Sequence, residues 1–338
     1  MKGLFVKFQS LMLLLCLVLG FNQSFAQEQD GNTDQKKLES ELKNAPAPAD
    51  HEEDADADVV VDRKSKAKAK KSNTKKKATD WPKKRPATIR KAPALGTIPF
   101  AVGEHLVFKI NLLNAHAGTV TLRVGAVGTY QGQRVVEFGG FIQSSTFTDN
   151  FYPIKDSLIV LVDEKTFLPI KSDFHLEEKN TVIDFHSSFN QKTGIVHWKK
   201  KTYKNGLKER NEEFAGASPL YESLSSLYAI RRLKITQGLS FEQYVWDGRR
   251  ERLVDVKVIG DEKVLTDLGW IDATKVQISS KITGGFINKG ALNQGPISGT
   301  AWFAKDEAQT PVKLISPTKL GVAEVILTKK YVEAPKQK

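Results

Sequence analysis

The chain has 338 residues, with 51 Lys and Arg against 39 Asp and Glu, a formal net charge of +12, and a single cysteine. One cysteine excludes an internal disulfide framework. Cys16 lies in an apolar leader, so the chain beyond it has no thiol for nucleophilic or metal chemistry.

Met1–Ala26 reads as a secretory signal peptide. Lys2 and Lys7 form a basic start, Leu11–Gly20 an apolar core, and Ser24-Phe25-Ala26 a small-x-small cleavage site ending at Ala26. Lipid attachment at Cys16 is the alternative. It needs a small residue before the cysteine, and Leu13-Leu14-Leu15 stand there instead. The expected location is the periplasm or the medium. After cleavage no stretch reaches the ~18 apolar residues that a spanning helix requires, so no transmembrane span is expected in the mature chain.

Residues 27–96 are too polar to offset chain entropy by burial and read as a disordered linker. Its charge is segregated: Glu28–Asp62 carries twelve acidic and three basic residues, Arg63–Lys91 fourteen basic and one acidic. The lysines at Lys68, Lys70, Lys71, Lys75, Lys76 and Lys77 are the candidate polyanion-binding group. An exported chain meets lipopolysaccharide phosphates, anionic lipid or wall polymer rather than nucleic acid. The competing reading is a solvated spacer whose acidic and basic blocks screen one another.

The folded domain is expected over residues 97–333, with halves of about 98–205 and 238–332 and a short tail at 334–338. Its pattern has period two. Leu106, Phe108, Ile110 and Leu112 alternate, as do Val120, Leu122 and Val124, then Val136 and Phe138. Further strands are predicted at 157–163, 167–176, 181–189, 195–203, 240–246, 252–259, 270–281, 299–304, 312–315 and 323–331. Such alternation between polar turns marks antiparallel meanders with one wetted face. A helix over about 218–233 interrupts them. Leu220, Leu224, Leu227 and Tyr228 share one helical face, Ser218 suits the N-cap, Pro219 the first turn, and Arg231 and Arg232 the last. The expected fold is therefore mainly β: antiparallel meanders forming an open or partly closed barrel, with one central helix on the concave side.

The halves echo each other. Asp163 precedes Thr166 and Pro169, and Asp306 precedes Thr310 and Pro311. Asp bonds backbone amides just beyond itself, and Pro opens the returning strand. The pattern reads as a duplicated meander, as one large sheet built in two passes, or as two unrelated hairpins with ordinary turn chemistry.

Few residues point to catalysis. His175, His186 and His197 recur every eleven residues on successive strands. A hairpin centred on Lys179-Asn180 pairs residues whose numbers sum near 359 or 360, facing Phe174 with Phe185. The histidines then lie on the wet face beside Asp173, Glu177 or Asp184, without the three convergent ligands of a zinc site. His105 and His116 look like edge residues, and Glu177-Glu178 and Glu212-Glu213 read as solvated pairs. G-x-S-x-G, H-E-x-x-H and P-loop patterns are absent, so no catalytic, cofactor or metal residue is nominated. The glycine-rich stretch 282–298, with Phe286 and Ile287, is either a lid over a cavity or a mobile connection. Leu224, Leu227, Tyr228, Phe286 and Ile287 are the candidate groove and lid residues.

The region from Ile98 to Val332 resembles a bacterial exported family known as domain of unknown function 3108. The resemblance rests on Pro99-Phe100-x-Val102-Gly103-Glu104-x-Leu106, on Ala117-Gly118-Thr119-Val120-x-Leu122 and on Leu224-Ser225-x-Leu227-Tyr228-x-x-Arg231 followed by Gly238. It rests further on Val258-x-Gly260-x-Glu262 and on Trp302-x-x-x-Asp306 before Pro311-Val312-Lys313. The family implies no activity and hence no catalytic residue. The Asp-turn-Thr-x-x-Pro element is similar to one in periplasmic lipoprotein carriers. That implies a curved sheet whose concave face accepts an acyl chain or another apolar ligand. The expected function is a non-catalytic envelope protein binding lipid, lipoprotein or polymer. A partner-docking scaffold, or an enzyme acting on envelope glycan or lipid, is the alternative.

Overall fold

A computed structural model describes residues 88–333 apart from 151, 204–205, 288–294 and 319–320. Ala26, the six candidate lysines and the tail 334–338 lie outside the described residues.

The first eight strands are β1 (Glu104–Leu112), β2 (Ala115–Tyr130), β3 (Gln133–Ser144), β4 (Lys155–Asp163), β5 (Pro169–Glu178), β6 (Thr181–Asn190), β7 (Ile195–Thr202) and β8 (Lys208–Ala215). A single turn, α1 (Thr146–Asp149), joins β3 to β4. Then come β9 (Leu220–Glu222), α2 (Ser223–Ile230), β10 (Ser240–Trp246), β11 (Arg250–Thr266), β12 (Gly269–Gly285), β13 (Ile297–Ala304), β14 (Pro311–Thr318) and β15 (Gly321–Val332).

All fifteen strands form one sheet, in the order β8-β7-β6-β5-β4-β3-β2-β1-β15-β14-β13-β12-β11-β10-β9. Every pairing is antiparallel except β9 with β10. Among the described residues the sheet is open, with β8 at one edge and β9 at the other and no strand ladder joining them. It is nonetheless strongly curved: β11 packs against β14 and β15 across the interior. Bulges cause much of the curl, among them the shifts between Val124 and Val127 on β2 and between Val258 and Gly260 on β11.

Burial follows the predicted alternation. Leu106, Phe108, Ile110 and Leu112 face inward with Val120, Leu122, Val124, Val136 and Phe138. Phe174 pairs with Phe185, as the turn at Lys179-Asn180 requires. The succession of β1 to β6 is repeated in β10 to β15, each with a long bulged second strand.

Three boundaries move. The helix is shorter than 218–233: β9 occupies 220–222 and α2 only 223–230. Its N-cap is Glu222 rather than Ser218. Glu222 accepts the Leu224 amide at 2.9 Å, and Ser225 Oγ accepts the Glu222 amide at 2.7 Å, completing a capping box. The linker predicted to 96 stops earlier, because residues 88–96 dock on the sheet. The Glu242 amide donates to the Arg90 carbonyl at 2.7 Å, Arg90 pairs with Asp255 at 2.6 Å, and the Gly96 amide donates to the Arg232 carbonyl. Arg90 therefore belongs to the folded domain and not to the basic arm. Finally, the stretch predicted to be loose from Ile282 is strand up to Gly285. A Cβ on Gly284 would stand 2.7 Å from the Phe214 ring, and Gly285 has φ +101° with Arg250 Cα 2.6 Å from any Cβ, so both positions require glycine.

Candidate functional site

The interior is organised around α2, and all eight of its residues are buried. The sequence places Leu224, Leu227 and Tyr228 inward but leaves the serines outward. Their burial follows from bonds to the sheet. Ser223 Oγ donates to the Trp246 carbonyl at 3.3 Å, and Ser226 Oγ accepts Gln243 Nε2 at 2.6 Å. Leu224 sits against Gly140, where a Cβ would meet its methyl groups at 3.4 Å.

At the C-terminal end of α2 the two Asp turns converge. Arg231, its C-cap, is fully buried and forms a two-pronged pair with Glu104 at 2.6 and 3.0 Å. Its guanidinium lies 4.6 Å from the Phe100 ring and 5.2 Å from Tyr228, and its Nε donates to the Ala308 carbonyl in the second turn. Arg232 donates to the Lys165 carbonyl in the first turn and covers Phe167 at 4.4 Å. Phe100, Phe138, Phe167 and Tyr228 complete an aromatic box, with Phe138 stacked on Tyr228 at 4.0 Å. Burial raises the Tyr228 phenol. The residues Phe100, Glu104, Tyr228 and Arg231, singled out in separate motifs, thus meet at one locked joint. It presents no accessible reactive group.

Both turns are built as read. Asp163 accepts the Thr166 amide at 2.8 Å and its hydroxyl at 2.7 Å; Asp306 accepts the same two groups of Thr310 at 2.9 and 2.7 Å. Burial opposes their ionisation, but bonds from Gln133 and Thr166, and from Thr310 and Lys330, hold both carboxyls below the usual range.

Between α2 and the sheet lies an apolar slot of about 40 Å³. Leu227 meets it from the helix, and Phe108, Leu122, Phe303, Leu314 and Val325 from the strands. Leu224 and Tyr228 are packed elsewhere in the core. Phe286 is buried in a second aromatic cluster, 4.4 Å from Trp198 and 6.0 Å from Trp246, with Ile287 half-buried beside it. The five candidate residues therefore separate: Leu227 lines the slot, Leu224 packs on Gly140, Tyr228 belongs to the Arg231 joint, and Phe286 and Ile287 lie at this second cluster.

Beside that cluster, the turn between β10 and β11 carries a charge network hidden from solvent. Asp247, Arg249, Arg250, Glu251 and Arg252 are all buried. Asp247 pairs with Arg250 at 3.1 Å and Arg252 at 2.9 Å, while Glu251 accepts the Ala217 amide at 2.6 Å. Pattern reading misses this network because its polar run looks like a solvated turn.

A family model described as a protein of unknown function (DUF3108) matches residues 107–328. The chain belongs to that family. No curated protein matches it. Among solved structures it is similar to a β-barrel-like protein of domain of unknown function DUF1849 from Brucella abortus, at 11% identity over 69% of this chain and 98% of that one, with a TM-score of 0.45. It is also similar to a protein from Parabacteroides distasonis provisionally named a lipoprotein, at 12% identity over 71% and 100% of the two chains, with a TM-score of 0.32. A Bacteroides fragilis protein provisionally named as exported gives 9% identity over 72% and 100%, with a TM-score of 0.30.

In this DUF3108 domain the histidines form a cross-strand lattice on the wetted face. His175 Nδ1 lies 2.7 Å from Asp184, His186 Nδ1 2.6 Å from Asp173, and His197 Nδ1 3.1 Å from Glu213. Among the described residues no group of three His, Cys, Asp or Glu is placed to hold a metal ion. His105 departs from its edge reading: β1 is central, and the ring stacks on Tyr331 at 4.8 Å. Glu178 departs from its solvated reading, since it accepts the Tyr152 hydroxyl at 2.8 Å and burial raises its carboxyl. Burial and the Glu178 charge together push the buried Asp156 well above the usual range. No helix among the described residues is long and apolar enough to cross a membrane.

Proposed function

We propose that this family member is an exported, non-catalytic envelope protein whose interior slot beside Leu227 accepts an alkyl chain, from a lipid or a lipoprotein anchor. The observation that carries the reading is the slot's lining. Of its ten lining residues only Lys313 is charged, and a polar ligand would lose its hydrogen bonds there. At about 40 Å³ it has room for roughly three water-sized spheres and not for an alkyl chain. Binding a chain therefore requires Leu227 and the facing strands to part. Export rests on the leader ending at Ala26, and attraction to an anionic surface on Lys68 to Lys77. The absence of catalysis rests on chemistry: the buried ionised groups are engaged with one another, and the Asp163 and Asp306 carboxylates are occupied by their own turns. The test is to narrow the slot. Leu227→Trp should leave a folded protein that no longer retains a co-purifying lipid; retention equal to the parent would remove the slot from the account.

A second reading, partner docking along a sheet edge, is favoured by β8. Among the described strands it ends the order, with a strand neighbour on one side only, which is the geometry that strand addition uses. Five of its eight residues are charged, which suits selective pairing and blocks indiscriminate association.

A further inference from the structure

The ribbon made by the ends of β11 and β12 runs beyond β13, whose first partner on β12 is Ala273. Its tip is held firmly. Thr266 Oγ donates to the Gly269 carbonyl and accepts the Leu268 amide, and Lys109 pairs with Asp267 at 2.5 Å. Within six residues this tip leaves Leu265, Leu268 and Trp270 exposed by 55%, 52% and 68%. Leu265 and Trp270 are direct cross-strand partners and so point the same way. A rigid turn that keeps three large apolar side chains in water calls for an explanation outside the domain.

The occupant can be chosen by area and charge. Taking ~200 Å² for a large side chain, the exposed fractions sum to roughly 350 Å². A stable protein interface needs about 800 Å² from each partner. A bilayer interface asks only for a small wedge of Trp and Leu at the headgroup boundary. The charges around the tip are balanced by pairing: Lys263 with Asp272, Lys305 with Asp261, Lys109 with Asp267. Anionic headgroups gain little from them.

We propose that the β11–β12 tip is a membrane-docking wedge that seats Leu265, Leu268 and Trp270 in the interfacial layer of a lipid bilayer, without need of anionic lipid. This separates it from the basic arm, whose attraction would be electrostatic. Processed protein recovered from its host is mixed with zwitterionic phosphatidylcholine vesicles in about 1 M salt, where a Debye length of ~3 Å silences the arm. Sedimentation measures partitioning, and brominated lipid reports insertion by quenching tryptophan emission. The parent should partition and be quenched. Trp270→Phe should still partition but lose the quenching. The combined Leu265→Ser, Leu268→Ser and Trp270→Ser variant should partition at least tenfold less, as expected for removing several partly buried apolar side chains, with melting unchanged. Trp270→Ser alone gives the same direction of change should the triple variant fold poorly. Equal partitioning of parent and triple variant, no partitioning by the parent, or tip-dependent self-association without vesicles would each overturn the proposal.

Discussion

Glu222 caps α2 from a fully buried position, and the loss of solvent pushes its carboxyl up to about 8, against the help of the Leu224 amide. A carboxyl whose folded pKa is raised is stabilised in its protonated form. Its contribution is intact below the unfolded value near 4.5 and falls away as pH rises towards 8. Glu222→Gln, which keeps the capping acceptor, should therefore raise Tm above pH 8 and change it little below pH 4.5; melting scans at the two pH values check this. The Arg231–Glu104 pair behaves oppositely under substitution. Glu104→Gln leaves a buried guanidinium without its counter-charge, a loss of about 3–5 kcal/mol measurable by denaturant unfolding. Asp163→Asn and Asp306→Asn should each cost only about 1 kcal/mol, because each weakens local turn bonds and leaves the interior alone.

At the scale of elements, α2 is the part on which the interior depends. Leu224→Asp places a charge against Gly140 and the sheet with no partner, and the domain should unfold or lose several kcal/mol; a Tm within a degree or two of the parent would mean that the helix is peripheral. The strands were legible because one face is wet, so apolar residues alternate along them. The helix was half legible. Leu224, Leu227 and Tyr228 set its inner face, but Ser223 and Ser226 are buried through bonds to β10, and no periodicity records a partner on a distant strand. β8 carries no apolar alternation, because Phe214 is its one buried residue. The Asp turns were read correctly because their chemistry is local: donor and acceptor lie within four residues. The Arg231–Glu104 lock spans 127 residues and the network around Asp247 is buried by tertiary packing, so neither leaves a local signature.

At the scale of the described domain, a fifteen-stranded curved sheet encloses α2, and the Arg231–Glu104 joint locks the end of that helix against it. A basic segment outside the described residues is expected to act separately. Deleting residues 63–87 should leave melting unchanged and abolish binding to anionic vesicles at low salt, with parent binding weakening steeply as salt rises; equal binding by both forms would reduce the segment to a spacer. The central claim concerns the slot, and native mass spectrometry of protein purified from its own host addresses it most directly. The account predicts a lipid-sized adduct on the parent that disappears in Leu227→Trp while both proteins remain folded. An adduct-free parent, or an adduct carried equally by both, would contradict it.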